Sequence, residues 1–172
     1  MKKIQFKYVI LILFVTLISS CLNMNIDEEP APTAENEQRE LTAYLDRIQQ
    51  SGNDIDTTDL GIYYVTMEEG EGEFPKSGDS LVVGYAGYFI DGGLFDSSDK
   101  YNDEGTIGFI LENPPMIKGW DDGMKVINKD AKVQLIIPSE FAYGSEGSGT
   151  IPPYSTLIFV VKMMEINPSD EL

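Results

Sequence analysis

The sequence contains no histidine, a single cysteine and few basic residues. Without histidine the chain cannot form a Ser-His-Asp triad, a Cys-His dyad or a histidine-ligated metal centre. One cysteine allows neither an intrachain disulfide nor a zinc site built from several cysteines. There are 12 Lys and Arg against 29 Asp and Glu, a net charge of −17, which argues against nucleic acid as a partner. We therefore expect no metal ion, no cofactor and no nucleic acid.

The first twenty residues have the pattern of an export signal. Three lysines lie within residues 1–7 and precede an apolar run at residues 8–18. That run is shorter than the about 20 residues that a membrane-spanning helix needs. The segment Ile-Ser-Ser-Cys at 18–21 resembles a bacterial lipobox, where the cysteine is lipidated and the signal is cleaved before it. We predict a signal peptide over residues 1–20 and a diacylglyceryl anchor on Cys21. The alternative is an ordinary signal peptide with an incidental cysteine.

Residues 21–57 are predicted to be a lipid-anchored tether that contains one short helix. Leu22 follows the cysteine, where an aspartate would resemble an inner-membrane retention signal, so we expect the outer membrane. The acidic cluster at 27–29 resembles surface-export signals of some bacteria, but it is equally consistent with a solvated tether. The periplasmic and the surface face of the membrane therefore both stay open.

A helix is predicted over residues 35–50. Four apolar residues at i, i+3, i+4 and i+7 form a single stripe, Leu41, Tyr44, Leu45 and Ile48. Thr33 is a candidate N-cap, and Ser-Gly at 51–52 is a candidate stop signal. The stripe would dock on the main domain or pair with a second copy of the chain.

From residue 60 the sequence changes to short β-rich segments with hairpin signals between them. One short helix is expected at 116–124, after two prolines that suit a first helical turn. Several strands joined by short links and one helix indicate an α+β fold with an antiparallel sheet. The predicted strands are 61–67, 80–90, 94–95, 106–110, 131–138 and 156–164.

Five ordered motifs between residues 60 and 166 resemble FKBP-type peptidyl-prolyl cis-trans isomerases. They are Val-Gly-Tyr-Ala-Gly at 83–87, Gly-Leu-Phe-Asp-Ser-Ser at 93–98, Met-Ile-Lys-Gly-Trp-Asp-Asp-Gly at 116–123, Pro-Ser-Glu-Phe-Ala-Tyr-Gly at 138–144 and Ile-Pro-Pro-Tyr-Ser-Thr-Leu-Ile-Phe at 151–159. Each alone is weak, but their order is specific. The resemblance implies a bent antiparallel sheet wrapped over one short helix, with the isomerase domain at residues 58–168.

The resemblance also implies a pocket that holds the proline ring of a substrate. Its floor would be Trp120, and the other expected substrate-binding residues are Phe95, Phe109, Met116, Ile117, Ile151 and Phe159. The expected catalytic residues are Tyr85, Asp96 and Tyr143. Tyr143 would offer its hydroxyl to a substrate carbonyl, the Ile117 amide would be a second donor, and Asp96 would lie beside the twisting amide. Macrolide inhibitors such as tacrolimus are possible further ligands on the same grounds.

The sequence departs from the family pattern at a few pocket positions. Ile107 stands where the family has an aromatic residue, and Thr150 stands at an aliphatic rim position. The arginine that often partners the pocket aspartate has no match, and Lys100 or Tyr101 could take its place. These departures leave macrolide affinity open. They also keep an alternative function open, an FKBP-like module that binds proline turns with little turnover.

The predicted activity suits a chain without histidine. Rotation about a peptide bond has a barrier of about 18–20 kcal/mol, set by the loss of amide resonance. An apolar aromatic pocket removes the water that stabilises the planar, polar amide, and this lowers the relative barrier. No proton is abstracted and no covalent bond breaks. We predict an isomerase that acts on proline-containing polypeptides and assists the folding of exported proteins at the bacterial envelope.

Overall fold

The structure, a computed structural model, describes residues 32–169. The predicted signal peptide and Cys21 lie outside the described residues. Within the described range, no helix is both long enough and apolar enough to cross a membrane. In chain order the elements are α1 (Ala34–Gln50), β1 (Asp56–Thr57), β2 (Tyr63–Glu68), β3 (Ser80–Phe89), β4 (Leu94–Ser97), β5 (Ile107–Ile110), α2 (Lys118–Met124), β6 (Lys132–Ile137) and β7 (Leu157–Asn167).

The strands form one antiparallel sheet in the order β1-β2-β6-β7-β3-β4. The long strand β3 pairs with β7 along one side. Its other side is shared end to end, since β5 pairs with residues 80–83 and β4 with residues 86–88. The predicted α+β fold is confirmed. The sequence did not predict β1, which has only two residues and lies at the end of the predicted tether.

The helix α2 packs against one face of the sheet and closes the main core. Trp120 and Met124 of α2 are buried with Leu135 of β6 and Val161 of β7. The helix begins at Lys118, two residues later than expected, because Ile117 has an extended backbone with ψ 141°. The Asp121 carboxylate accepts a hydrogen bond from the Met116 amide at 2.9 Å and holds this extended approach.

The helix α1 covers part of the opposite face of the sheet. Leu41 is buried with Ile136 and Ile158 in a second apolar cluster. The other three residues of the apolar stripe pack against this cluster, so the stripe docks on the chain's own sheet. The caps are as predicted. The Thr33 hydroxyl accepts a hydrogen bond from the Asn36 amide, and Ser51 is the C-cap. The division into a tether at residues 21–57 and a domain at residues 58–168 stays a prediction.

Candidate active site

Trp120 is the centre of a cluster of aromatic rings on the α2 side of the sheet. Its ring centroid lies 5.1 Å from Phe159, 5.3 Å from Tyr85 and 6.0 Å from Phe109. The first two contacts are edge-to-face, the geometry that aromatic quadrupoles favour. Gly119 allows the close approach of α2 to β6, because an added Cβ would overlap the Ile137 side chain. The expected pocket floor is thus buried at the base of a ring cluster contributed by three strands.

Two phenylalanines extend this cluster away from Trp120. Phe95 on β4 contacts Phe159 edge-to-face at 5.5 Å between centroids. Phe89 lies 5.0 Å from Phe95 and is not among the pocket residues predicted from the motifs. Alternation along β3 could have found it, because residues 85, 87 and 89 share one face of a strand. Gly87 lies behind both rings, and a Cβ there would come within 2.8 Å of Phe95 Cζ and 3.0 Å of Phe159 Cε1.

The strand β5 presents two apolar side chains to the core beside Trp120. Ile107 and Phe109 are both partly buried and pack against the main core, whereas the residues between and after them are exposed. Phe109 brings an aromatic ring to Trp120 from this strand. Although position 107 is not aromatic, β5 therefore still has one aromatic side chain in contact with Trp120.

Tyr85 and Asp96 form a hydrogen-bonded pair beside the rings. The Tyr85 hydroxyl donates to Asp96 Oδ2 at 2.6 Å. Asp96 Oδ1 accepts from the Ser97 amide at 2.9 Å and from Lys100 Nζ at 3.2 Å. Lys100 also donates to the Phe95 carbonyl at 2.9 Å. Of the two candidates for the missing arginine, Lys100 therefore forms the ion pair with Asp96, while Tyr101 interacts with the Tyr85 side chain.

These contacts fix the charge of the pair near neutral pH. Burial, together with the hydrogen bonds to Asp96 and Tyr101, raises the pKa of Tyr85 far above its usual value. Burial raises the pKa of Asp96, but the hydrogen bonds from Tyr85, Lys100 and Ser97 outweigh it and hold that pKa below the usual value. Tyr85 is therefore a neutral donor and Asp96 a carboxylate, and neither group changes its charge near pH 7.

The remaining predicted residues lie at the edge of this cluster or further out. Ile117 and Ile151 are partly buried and pack against the same core. Met116 and Tyr143 are more exposed, at 43% and 38%. Within residues 32–169, Tyr143 does not take part in the ring cluster around Trp120. Its role as a hydrogen-bond donor to the substrate stays a prediction. Over the same residues, no three His, Cys, Asp or Glu side chains are grouped as a metal site.

Comparison with known proteins places this arrangement in a family. The family model described as FKBP-type peptidyl-prolyl cis-trans isomerase matches residues 71–164. The chain is 42% identical over 115 residues to FkpA, an FKBP-type peptidyl-prolyl cis-trans isomerase of Escherichia coli K12, covering 67% of the chain and 41% of the relative. It is 39% identical over 121 residues to a probable FKBP-type isomerase of Haemophilus influenzae, covering 70% and 48%.

A solved structure supports the same assignment. The crystal structure of Escherichia coli FkpA matches with a TM-score of 0.67 at 38% sequence identity, over 79% of this chain and 61% of that one. The chain spans less than half the length of the two curated relatives. The matched residues include the Trp120 cluster and the Tyr85–Asp96 pair. The chain therefore belongs to the FKBP-type peptidyl-prolyl cis-trans isomerase family.

Proposed function

We propose that this chain catalyses cis–trans isomerisation of Xaa-Pro bonds in the pocket above Trp120. The observation that carries this proposal is the aromatic cluster around Trp120 with the Tyr85–Asp96 pair beside it. A proline ring on the indole would be surrounded by apolar rings and removed from water. The family membership supports the same reaction.

The reaction needs desolvation and orientation rather than proton transfer. The twisted amide is less polar than the planar one, so a site with little water favours the twisted state over the ground state. A 10⁴-fold acceleration would require a barrier lower by about 5–6 kcal/mol. The Asp96 carboxylate accepts hydrogen bonds from Tyr85, Lys100 and the Ser97 amide, which hold it in place at the side of the pocket. In this mechanism Tyr143 and the Ile117 amide hold the neighbouring carbonyls of the bound peptide.

Turnover of a short Xaa-Pro peptide, measured by NMR exchange spectroscopy, tests the proposal. An isomerase raises the exchange rate between the cis and trans peptide signals at substoichiometric concentration. A module that only binds proline turns would shift or broaden the signals without raising that rate. The second result would reject the proposed activity and favour the binding alternative.

Two substitutions assign the activity to the pocket. We expect Trp120→Ala to reduce kcat/KM nearly to background, because the indole is the surface on which the proline ring would lie. Truncating a buried large aromatic also costs about 3–5 kcal/mol of stability, so melting is measured alongside the rate. Tyr143→Phe removes one hydroxyl and should weaken turnover modestly, by roughly 0.5–1.5 kcal/mol. Tyr63→Phe is the matched control, because Tyr63 packs with the α1 cluster on the opposite face. Small and equal effects of all three changes would place the site elsewhere.

We further propose that the protein assists the folding of exported chains while anchored through Cys21 at the bacterial outer membrane. The sequence pattern at 18–21 supports the anchor, and unassisted proline isomerisation, at tens to hundreds of seconds, is slow enough to limit folding. Mass spectrometry of the native protein tests the anchor. We expect an acylated Cys21 as the amino terminus, and an unmodified thiol at residue 21 would contradict it.

Tacrolimus-like macrolides are proposed as ligands of the pocket above Trp120, to be tested by inhibition of turnover.

A further inference from the structure

A carboxylate of α1 reaches the turn that precedes Tyr143. Glu37 lies in the first turn of α1 and is partly buried. Its Oε1 accepts hydrogen bonds from the Ser139 amide at 2.6 Å and from Thr156 Oγ1 at 2.8 Å. Its Oε2 accepts from Ser139 Oγ at 2.5 Å. Ser139 and Thr156 are each only 4% exposed, so one side chain satisfies three donors that belong to buried residues.

Ser139 in turn fixes the backbone on both sides of Tyr143. Its carbonyl accepts from the Ala142 amide at 2.9 Å and from the Gly144 amide at 2.8 Å. The Ser139 residue is therefore bonded to Glu37 through its N–H and to the Tyr143 turn through its C=O. A shift of Ser139 would move the peptide groups that flank Tyr143.

The second partner of Glu37 lies at the other end of the same segment. Thr156 directly precedes β7, the strand that carries Phe159. Between Ser139 and Thr156 lies the loop with Ile151, and the Tyr154 amide closes this loop on the Gly144 carbonyl at 2.9 Å. Glu37 thus joins the two ends of a segment, residues 139–156, that contains two of the predicted pocket residues.

Docking of α1 does not by itself require a carboxylate at this position. The apolar stripe around Leu41 already packs on Ile136 and Ile158. We infer that Glu37 is a positioning residue of the isomerase pocket, which holds both ends of residues 139–156 and sets the orientation of Tyr143 through Ser139. This inference rests on the proposed function, because its effect on rate requires that Tyr143 contact the substrate.

Turnover of the full chain with Glu37→Ala tests the inference. We expect kcat/KM to fall by about two- to tenfold, because the effect on rate acts through the single hydrogen bond that Tyr143 would donate to the substrate. Glu37→Gln keeps one acceptor oxygen, so its kcat/KM should lie between those of the unaltered protein and Glu37→Ala. This variant replaces Glu37→Ala in the test if the alanine variant folds poorly. Glu35→Ala is the matched control, because Glu35 shares the first helical turn and its helix-dipole effect but is exposed. Equal rates for Glu37→Ala and Glu35→Ala would overturn the inference.

A double-mutant cycle separates positioning from general support of the fold. If Glu37 acts through Tyr143, then Glu37→Ala should change kcat/KM little in a Tyr143→Phe background. Single effects that simply multiply would show that Glu37 does not act through Tyr143, and would overturn the inference.

Amide hydrogen exchange gives a readout that does not depend on turnover. The Ala142 and Gly144 amides should exchange faster in Glu37→Ala than in Glu35→Ala, because their acceptor, Ser139, loses its anchor. Unchanged exchange would overturn the inference. A chain without measurable turnover would reject the proposed function, and the exchange result would still decide whether Glu37 fixes the turn.

Discussion

Gly87→Ala should disturb the pocket without replacing any of its side chains. Gly87 lies on β3 directly under the Phe95 and Phe159 rings. An alanine Cβ would lie 2.8 Å from Phe95 Cζ and 3.0 Å from Phe159 Cε1, whereas carbon atoms pack at about 3.5–4.0 Å. Both rings must therefore move outward by about half an ångström or more.

The size of the effect follows from this overlap. Overpacking of a well-packed region costs typically about 1–3 kcal/mol, which for a domain of this size lowers Tm by roughly 3–10 °C. The displaced rings are also expected walls of the proline site. Misplacement of binding groups by about an ångström can cost up to about 10²-fold in rate, so we expect kcat/KM to fall at least about fivefold.

The experiment compares Gly87→Ala with Gly108→Ala, a second strand glycine. A Cβ at Gly108 would make only an ordinary contact, 3.8 Å from the Leu81 carbonyl oxygen. Thermal melting and turnover of one Xaa-Pro peptide are measured for both variants, with turnover well below each Tm. We expect Gly108→Ala to behave like the unaltered protein. If Gly87→Ala melts lower but keeps full turnover, Phe95 and Phe159 do not form the walls of the site, and the pocket assignment is wrong.

Two further predictions concern pH and the helix α1. We expect kcat/KM to vary little between about pH 6 and 8, because Tyr85, whose pKa is raised, stays protonated and Asp96, whose pKa is lowered, stays ionised. The stability that Asp96 contributes is present above its usual pKa and is lost as the pH falls through its lowered value. A tenfold step in rate in a folded protein would contradict this prediction. The fragment 58–168 should fold but melt at a lower temperature than the full chain, because Ile136 and Ile158 lose their cover, at about 1.5–3 kcal/mol for each fully exposed side chain. Equal melting temperatures would show that α1 adds nothing to the stability of the sheet.

Local patterns were sufficient to predict most elements of the fold. The strand predicted at 80–90 is β3, and that at 156–164 is most of β7, since both are long, largely apolar runs bounded by polar residues. The helix at 35–50 was predicted because its stripe and its caps agree. The two-residue β1 has no such signal, because its pairing with β2 depends on the partner strand rather than on its own sequence.

The side-chain contacts of the site were less predictable. The order of motifs indicated Tyr85, Asp96 and Trp120, and the structure brings them together. The motifs did not decide between Lys100 and Tyr101 as the partner of Asp96, because that choice depends on the turn at residues 98–100. The contact of Glu37 with Ser139 joins residues 102 positions apart, and no local pattern predicts such a pair.

The short outer strands of the sheet have a consequence for solubility. At one edge lies β1 with two residues, and at the other lie β4 and β5 with four residues each. A long open edge is a template on which another extended chain can add as a further strand, which leads to aggregation. A catalyst that binds unfolded polypeptides would meet such chains constantly. Short edges offer such chains few main-chain groups to pair with, so a polypeptide that dissociates from the proposed site would find few other places on the sheet to bind.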